Sequence, residues 1–276
     1  MREGSGLVKF SKEFPERFYD VAIAEQHAVT LAAGMACEKK KPVVAIYSTF
    51  LQRAYDQLIH DVALQNLNVL FAIDRAGLVG EDGPTHSGNY DLTYLRCIPN
   101  MIIAVPADEN EARMLLTTTF NHNGPAAVRY PRGGGINADI DLELKSLEVG
   151  KGRVINSMDS DLLVLNFGTL IATAQEVAKE LNATLLDMRF VKPLDKKLIA
   201  EHSKGKKVII TIEDGAMSGG AGSAVNEWAQ ENKISAQIII CGIPDEFIDH
   251  SSREEMIEAV GLDKNGILAK VKDFLP

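Results

Sequence analysis

Cysteine is scarce in this 276-residue sequence, and its three cysteines lie far apart. Cys37, Cys97 and Cys241 are odd in number and form no C-x-x-C pair. The pattern excludes a disulfide framework and a cysteine-ligated zinc site, because both depend on cysteines at paired spacings. We therefore expect the protein to work in a reducing compartment, which is typically the cytoplasm.

Positive charge is also in short supply. Aspartate and glutamate number 38 against 29 lysines and arginines, which gives a formal net charge of −9. An acidic surface does not attract phosphate backbones or anionic lipid head groups. We therefore expect neither a nucleic acid nor a membrane as a partner.

Long hydrophobic runs are missing too. The longest apolar stretches, such as residues 101–105, have the length of a strand, whereas a membrane-spanning helix needs about 20 apolar residues. Residues 1–6 lead into no long apolar region, so the sequence predicts no signal peptide. Since 46% of the residues are hydrophobic, we expect a soluble cytoplasmic protein with real cores.

What the sequence does contain is a regular alternation of strand-like and helical patterns. The predicted strands are 42–47, 69–73, 101–105, 126–130, 162–166, 183–188, 207–212 and 237–241. The predicted helices lie near 28–36, 51–65, 108–120, 172–181 and 223–228. Apolar strands in strand–helix–strand order are typical of parallel sheets covered on both faces. The predicted fold class is α/β, with two tandem three-layer α/β/α domains built on mainly parallel sheets.

The domain boundaries are predicted from changes in composition. Residues 1–135 are assigned to a first domain, whose residues 1–17 are polar and resemble a linker. Residues 136–160 are assigned to a connection, and residues 161–276 to a second domain. The chain length suits two domains of ordinary size.

One carboxylate in the first domain stands out by its setting. Glu25 precedes residues 28–36, which are almost all small and apolar and predict a helix buried on all sides. A poorly solvated carboxyl group has a raised pKa and can share a proton near neutral pH. Glu25 is therefore a candidate acid or base. The alternative is a structural role, in which a first-turn glutamate interacts with the helix dipole.

Aromatic and charged side chains follow three predicted strands of the first domain, where parallel sheets bind their ligands. They are Tyr47, Phe50, Arg53, Arg75, Asp82, His86 and Arg132. Each has a structural alternative: the aromatic rings can close the core, Asp82 and His86 can be turn residues or metal ligands, and the arginines can be solvated. One shared site explains all of them together.

A glycine-rich stretch, residues 218–223, lies in the second domain. Such a stretch can hold a phosphate at the start of a helix. It lacks the lysine of a P-loop and the full G-x-G-x-x-G pattern, so we favour a tight turn that packs on the sheet.

Several motifs together resemble the 1-deoxy-D-xylulose-5-phosphate synthase family. They are AEQH at 24–27, YSTFLQRAYDQ at 47–57, DRAG at 74–77, GEDGPTH at 80–86 and DMRFVKPLD at 187–195. The resemblance implies a transketolase pyrimidine-binding domain followed by a transketolase carboxyl-terminal domain. It also implies a homodimeric transferase of isoprenoid and thiamine biosynthesis. That family condenses pyruvate with glyceraldehyde 3-phosphate, releases carbon dioxide, and uses thiamine diphosphate and Mg²⁺.

The resemblance implies cofactor-binding roles for three residues. Glu25 would be catalytic, facing the aminopyrimidine of thiamine diphosphate and sharing a proton with it. Tyr47 and Phe50 would line the pyrimidine pocket with their aromatic faces.

The resemblance also implies substrate-binding roles for five residues. Asp82 and His86 would be catalytic and would contact the substrate. Arg75 and Arg132 would hold the phosphate of the triose, since planar guanidinium groups match phosphate geometry. Arg53 would help to hold the first intermediate.

One departure from the family pattern limits these expectations. The Gly-Asp-Gly…Asn signature for magnesium and diphosphate and the family's amino-terminal domain are absent. We therefore expect the metal ligands in that missing domain, none in this chain, and no activity from the chain alone. Two alternatives stay open: the carboxyl half of a transketolase, which carries a similar GEDGPTH-like loop, and a non-catalytic assembly module.

Overall fold

The computed structural model describes residues 2–275, and its strands form two five-stranded sheets. The strands are β1 (Val43–Tyr47), β2 (Leu70–Asp74), β3 (Ile102–Ala104), β4 (Ala126–Arg129), β5 (Arg153–Asn156), β6 (Leu162–Phe167), β7 (Thr184–Asp187), β8 (Phe190–Lys192), β9 (Val208–Ala216) and β10 (Gln237–Ile243). All the predicted strands are present, within a few residues of their predicted bounds.

Helices connect most of these strands. The α-helices are α1 (Val8–Glu13), α2 (Glu25–Cys37), α3 (Ser48–Leu51), α4 (Tyr55–Gln57), α5 (Asp91–Arg96), α6 (Glu109–Asn121), α7 (Ile171–Glu180), α8 (Lys196–His202), α9 (Ala221–Glu231), α10 (Arg253–Ala259) and α11 (Lys264–Val271). A π-helical segment, Leu58–Ala63, continues α4. Short 3₁₀ turns occupy Pro15–Arg17, Gln52–Ala54, Gly80–Asp82, Pro84–His86 and Lys272–Phe274.

Both sheets are parallel except for one edge strand each. The first sheet has the order β1-β2-β4-β3-β8, and only β8 runs antiparallel to its neighbour. The second has the order β10-β9-β6-β7-β5, with β5 antiparallel. This confirms the predicted fold class of mainly parallel α/β sheets.

Alternate residues of the first sheet pack into different layers. Phe71 and Ile73 of β2 pack with Val29 of α2 on one face. Leu70 of the same strand packs with Leu115 of α6 on the other. The second sheet is covered in the same way, by α9 on one face and by α7 and α11 on the other. Strands buried on both faces read as continuous apolar runs, which is why the sequence reveals them.

The two edge strands β5 and β8 were not predicted. β5 lies within residues 136–160, the stretch assigned to a connection, and it joins the second sheet. β8 follows β7 in the second half of the chain but pairs with β3 of the first sheet. Both strands are short, and β5 is only partly buried, so neither has an apolar run that marks it. The domain boundaries themselves remain predictions.

The prediction that α2 is buried on all sides is wrong. Val29, Ala32 and Ala33 are buried, but the opposite face of the helix is exposed, and Ile23 just before it is 79% exposed. Small apolar residues allow close packing on either face, so composition alone does not show which face has a partner. The linker-like start of the chain contains α1, which contributes no buried residue.

A buried arginine joins the two halves of the chain. Arg129, the last residue of β4, donates to Asp91 Oδ2 at 2.9 Å and to the carboxylate of Asp214 in β9. All three side chains are almost completely buried. Each charge is therefore compensated inside the protein. The ion pair also links β9 to β4, the strand that precedes Arg132. Within residues 2–275, no helix is both long and apolar enough to cross a bilayer.

Candidate active site

The candidate residues lie together at one edge of the first sheet. Tyr47 is the last residue of β1 and pairs in register with Asp74, the last residue of β2. Arg75 follows directly, and Arg132 comes shortly after the end of β4. Parallel strands end at the same edge of a sheet, so topology alone brings these side chains within reach of one another.

Two stacked aromatic rings lie at the centre of the site. The rings of Tyr47 and Phe50 have centroids 5.4 Å apart and an interplanar angle of 14°. The Arg75 guanidinium carbon lies 4.0 Å from the Tyr47 ring centroid, and that of Arg53 lies 4.9 Å from the Phe50 ring. Burial raises the pKa of Tyr47, which keeps the phenol neutral. The rings thus form an apolar platform with a cation at each end.

Glu25 is the first residue of α2, which begins three residues earlier than the predicted helix, and its carboxylate is not isolated. Its Oε1 accepts a hydrogen bond from Arg53 Nη1 at 2.7 Å. The Glu25 side chain is 13% exposed, whereas Arg53 is 56% exposed. The expected apolar surroundings are therefore replaced by an ion pair, in which the arginine approaches from the solvent side.

Asp82 forms ion pairs with two arginines. Arg75 Nη1 donates to Asp82 Oδ2 at 2.5 Å, and Arg132 Nε lies 3.3 Å from the same oxygen. Arg132 also donates to the carbonyl oxygen of Val79 at 3.3 Å. Two guanidinium groups that share one carboxylate can receive a further anion, since their donors outnumber its oxygens. A carboxylate held by two cations is a poor metal ligand.

Arg75 has a strained backbone. Its φ of 58° lies in the left-handed region, which costs a non-glycine residue about 1–2 kcal/mol. The carboxylate of Asp74 accepts a hydrogen bond from the Arg75 backbone N–H at 2.7 Å and helps to hold this conformation. Strain of this kind is concentrated at functional sites, where the surrounding structure maintains it.

His86 completes the cluster. Its ring meets the Phe50 ring edge-on, with centroids 5.5 Å apart and an angle of 68°. Its Nδ1 lies 2.9 Å from Thr85 Oγ1. The structure therefore brings every candidate residue into one connected set, from Glu25 through Arg53 and Phe50 to His86, and from Tyr47 through Arg75 and Asp82 to Arg132.

Residues from the second half of the chain pack against the candidate site. The sequence analysis did not predict this contribution. Residues 250–253 pack against the turn that carries Asp82. A Cβ at Gly83 would lie 2.8 Å from the Cβ of His250, and one at Gly77 would lie 2.8 Å from Asp214 Oδ2. Both glycines also have positive φ, so no other residue fits easily. Contacts between segments so distant in the chain leave no local pattern in the sequence.

The glycine-rich stretch 218–223 forms a turn at residues 218–220, as favoured above, and continues into the first residues of α9. The two carboxylate oxygens of Glu213 accept hydrogen bonds from the backbone N–H groups of Ala221 and Gly222, each at 2.7 Å. A Cβ at Gly222 would lie 2.5 Å from Ile240 and from Thr211. The start of α9 therefore holds a carboxylate of the protein itself, where a phosphate would otherwise bind. Within residues 2–275, no three acidic, histidine or cysteine side chains are grouped as metal ligands.

Comparisons with known proteins agree with this architecture. The family model "Transketolase, pyrimidine binding domain" matches residues 1–135, and "Transketolase, C-terminal domain" matches residues 150–267. A solved structure described as "Split gene transketolase, inactive beta4 tetramer" is 30% identical with a TM-score of 0.86. The alignment covers 96% of this chain and 86% of that one. The chain belongs to the transketolase family.

Within the transketolase family, the chain is similar to synthases of 1-deoxy-D-xylulose 5-phosphate. It is 60% identical over 275 residues to the 1-deoxy-D-xylulose-5-phosphate synthase of Cellvibrio japonicus (strain Ueda107) and 59% identical over the same length to that of Hahella chejuensis (strain KCTC 2396). Each alignment covers 100% of this chain but 43% of the relative, so the chain spans less than half of their length. The transketolase of Campylobacter jejuni shares the fold at 17% identity, with a TM-score of 0.69 over 90% of this chain and 38% of that one.

Proposed function

We propose that this chain supplies the pyrimidine-binding and carboxyl-terminal domains of a 1-deoxy-D-xylulose-5-phosphate synthase. The complete enzyme is a cytoplasmic transferase of isoprenoid and thiamine biosynthesis that condenses pyruvate with glyceraldehyde 3-phosphate and releases carbon dioxide. The observation that carries the proposal is the single cluster in which the motif residues meet, with Arg53 bridging Glu25 and Phe50. Identity of 60% over the whole chain to one named synthase supports it.

The cluster fits the pyrimidine end of thiamine diphosphate. Tyr47 and Phe50 offer stacked apolar faces, and the buried hydroxyl of Ser48 between them in sequence has no hydrogen-bond partner among the described residues. When bound, the cofactor supplies the carbon nucleophile that the reaction of an α-keto acid requires. The pyrimidine-binding role of the two rings and Glu25 is thus part of the proposal.

When the cofactor is bound, Glu25 would hold or share a proton at the pyrimidine nitrogen N1′. Arg53 binds its Oε1 and leaves Oε2 for that exchange. A positioned acid or base of this kind contributes about 10²–10⁴ in rate. Arg53 orients the carboxylate and, being half-exposed, also meets the substrate side of the site.

Arg75 and Arg132 bind the phosphate of the triose. Both already converge on Asp82, so an incoming phosphate takes up donor groups that the single carboxylate does not satisfy. Asp82 and His86 lie beside them and contact the rest of the substrate. Arg132 and Arg75 thereby place the triose next to the aromatic platform.

The diphosphate and Mg²⁺ ligands belong, in this proposal, to the amino-terminal part of the synthase, outside these 276 residues. The chain by itself is inactive and associates with other copies of itself. The complete enzyme is a homodimer. Two facts support this: the similar split-gene structure is described as an inactive tetramer, and apolar residues such as Ile23 stand exposed beside α2.

Reconstitution tests the proposal. The chain is mixed with the separately expressed amino-terminal part of a related synthase, thiamine diphosphate and Mg²⁺, and is then given pyruvate plus glyceraldehyde 3-phosphate or a ketose phosphate plus an aldose phosphate. We expect 1-deoxy-D-xylulose 5-phosphate from the first pair. Turnover of the second pair alone would indicate a transketolase subunit. Turnover of neither, despite complex formation, would indicate an assembly module.

A further inference from the structure

We propose that Thr85 is a positioning residue, which holds neutral His86 in the tautomer that is protonated at Nδ1. The importance of this tautomer for substrate binding rests on the proposed function. The tautomer itself follows from hydrogen-bond geometry and can be tested without catalysis.

The argument starts from the single proton of the Thr85 hydroxyl. Oγ1 of Thr85 lies 3.3 Å from the backbone carbonyl oxygen of Asp82 and 2.9 Å from Nδ1 of His86. A carbonyl oxygen can only accept, whereas Nδ1 of His86 either donates or accepts. The two contacts are both hydrogen bonds only if the hydroxyl donates to the Asp82 carbonyl oxygen and accepts from the ring. In this arrangement the proton of His86 resides on Nδ1. A neutral imidazole carries one N–H, so Nε2 has a free lone pair.

The surrounding turn holds these groups in place. Thr85 and His86 lie in the 3₁₀ turn Pro84–His86, and the His86 backbone N–H donates to the carbonyl oxygen of Gly83 at 3.1 Å. Thr49 Oγ1 donates to the Thr85 carbonyl oxygen at 3.5 Å. The edge of the His86 ring packs against Phe50. Rotation of the ring by 180° would therefore break a hydrogen bond within a turn that is otherwise fixed.

The tautomer decides what His86 can recognise. With Nδ1 occupied by Thr85, Nε2 is the nitrogen left for a ligand. As an acceptor, Nε2 binds a hydroxyl group of the substrate and can take its proton; as a donor, it would instead bind a carbonyl or phosphate oxygen. Thr85 thus directs His86 toward the hydroxyl groups of the substrate and leaves the phosphate to the arginines.

The test is a measurement of the His86 tautomer by ¹⁵N NMR. The chain is labelled with ¹⁵N-histidine and studied at about pH 9, well above the usual range of imidazole titration. Two-bond proton–nitrogen correlations distinguish the two ring nitrogens, and the signals of His86 are those that vanish in His86→Gln. We expect Nδ1–H in the wild-type chain and in Thr85→Ser. In Thr85→Val, which keeps the shape but lacks the hydroxyl, we expect Nε2–H, the form that free imidazoles prefer.

Two outcomes would overturn the assignment: Nε2–H in the wild-type chain, or Nδ1–H retained in Thr85→Val. Thr85 is exposed, so both variants should fold, and near-identical thermal melting curves would verify this. In the reconstituted enzyme, Thr85→Val should lower kcat/KM about 10-fold, because one hydrogen bond is lost. Thr85→Ser keeps the hydroxyl group and should have the wild-type kcat/KM. If the enzyme makes no 1-deoxy-D-xylulose 5-phosphate, the proposed function fails while the NMR result still decides the tautomer.

Discussion

Arg53 and Glu25 form an ion pair, with Nη1 2.7 Å from Oε1, although they are 28 positions apart in the chain. The arginine also covers the Phe50 ring, so one side chain joins the carboxylate to the aromatic platform. Glu25 is therefore held by a partner that is itself half-exposed. Such a partner can shift when a ligand enters, because solvent screens a half-exposed guanidinium group and weakens its ion pair.

In the reconstituted enzyme, Glu25→Gln should lower kcat by about 10²–10⁴, because the amide cannot share a proton with the pyrimidine. Steady-state kinetics with pyruvate and glyceraldehyde 3-phosphate measures the change. Glu38→Gln, at the opposite end of α2 and exposed, is the matched control and should retain full activity. Near-normal turnover in Glu25→Gln would return this residue to a structural role.

In the reconstituted enzyme, Arg75→Ala and Arg132→Ala should each raise the KM for glyceraldehyde 3-phosphate about 10-fold or more. The KM for pyruvate should stay nearly unchanged. The reason is that a charge-assisted hydrogen bond contributes about 1.5–3 kcal/mol. The control is Lys207→Ala, which removes an exposed cation just before β9 of the other sheet. An equal rise in both KM values would argue against the phosphate-binding assignment.

Thiamine diphosphate should bind weakly or not at all to the chain alone. The pyrimidine side offers one carboxylate and two rings, which do not offset the entropy lost when a flexible, highly charged ligand is ordered. Isothermal titration calorimetry with Mg²⁺ present should therefore give little heat, and tight binding should appear after the amino-terminal part is added. Micromolar affinity in the isolated chain would contradict this expectation.

Arg129→Met should destabilise the protein by about 3–5 kcal/mol, because Asp91 and Asp214 would then be buried without their cation. Urea unfolding followed by circular dichroism measures the free energy of unfolding. Arg17→Met, which removes an exposed arginine, should change it by less than about 0.5 kcal/mol. A loss below about 1 kcal/mol in Arg129→Met would mean that the ion pairs of Arg129 with Asp91 and Asp214 do not stabilise the folded chain.

The stability of the second domain should depend on the protonation of Glu213. Burial raises the pKa of Glu213 to about 7, whereas a glutamate in an unfolded chain titrates near about 4.3. Between these pH values the folded state binds more protons than the unfolded state, so the free energy of unfolding falls as the pH rises. Above about pH 7, Glu213 is deprotonated in both states, so its contribution to the free energy of unfolding falls no further.

Urea unfolding of wild type and Glu213→Gln at about pH 4.5 and about pH 8 checks this dependence. The wild-type free energy of unfolding should fall more steeply with pH than that of Glu213→Gln, which has no titrating group at this position. Glu231→Gln, at the exposed carboxyl-terminal end of α9, should follow the wild-type curve. Parallel curves for wild type and Glu213→Gln would show that the pKa of Glu213 is not raised.

The sequence by itself determined the fold class and the sheet edge at which the candidate residues lie. Strands buried on both faces, such as β2 and β6, are apolar along most of their length, so they can be recognised without any structure. Parallel strands end at one edge, which is why residues after β1, β2 and β4 could be predicted to meet. The motif residues Tyr47, Asp82 and His86 lie where that reasoning puts them.

Only the tertiary structure decided which groups compensate one another. The pairing of Glu25 with Arg53, the convergence of Arg75 and Arg132 on Asp82, and the exposed face of α2 depend on which surfaces meet in space. The edge strand β8 and the burial of Arg129 depend on the packing of one half of the chain against the other. A local sequence pattern predicts that an element is buried, but it does not identify the surface or charge that the element contacts. Any apolar face or opposite charge satisfies the same pattern.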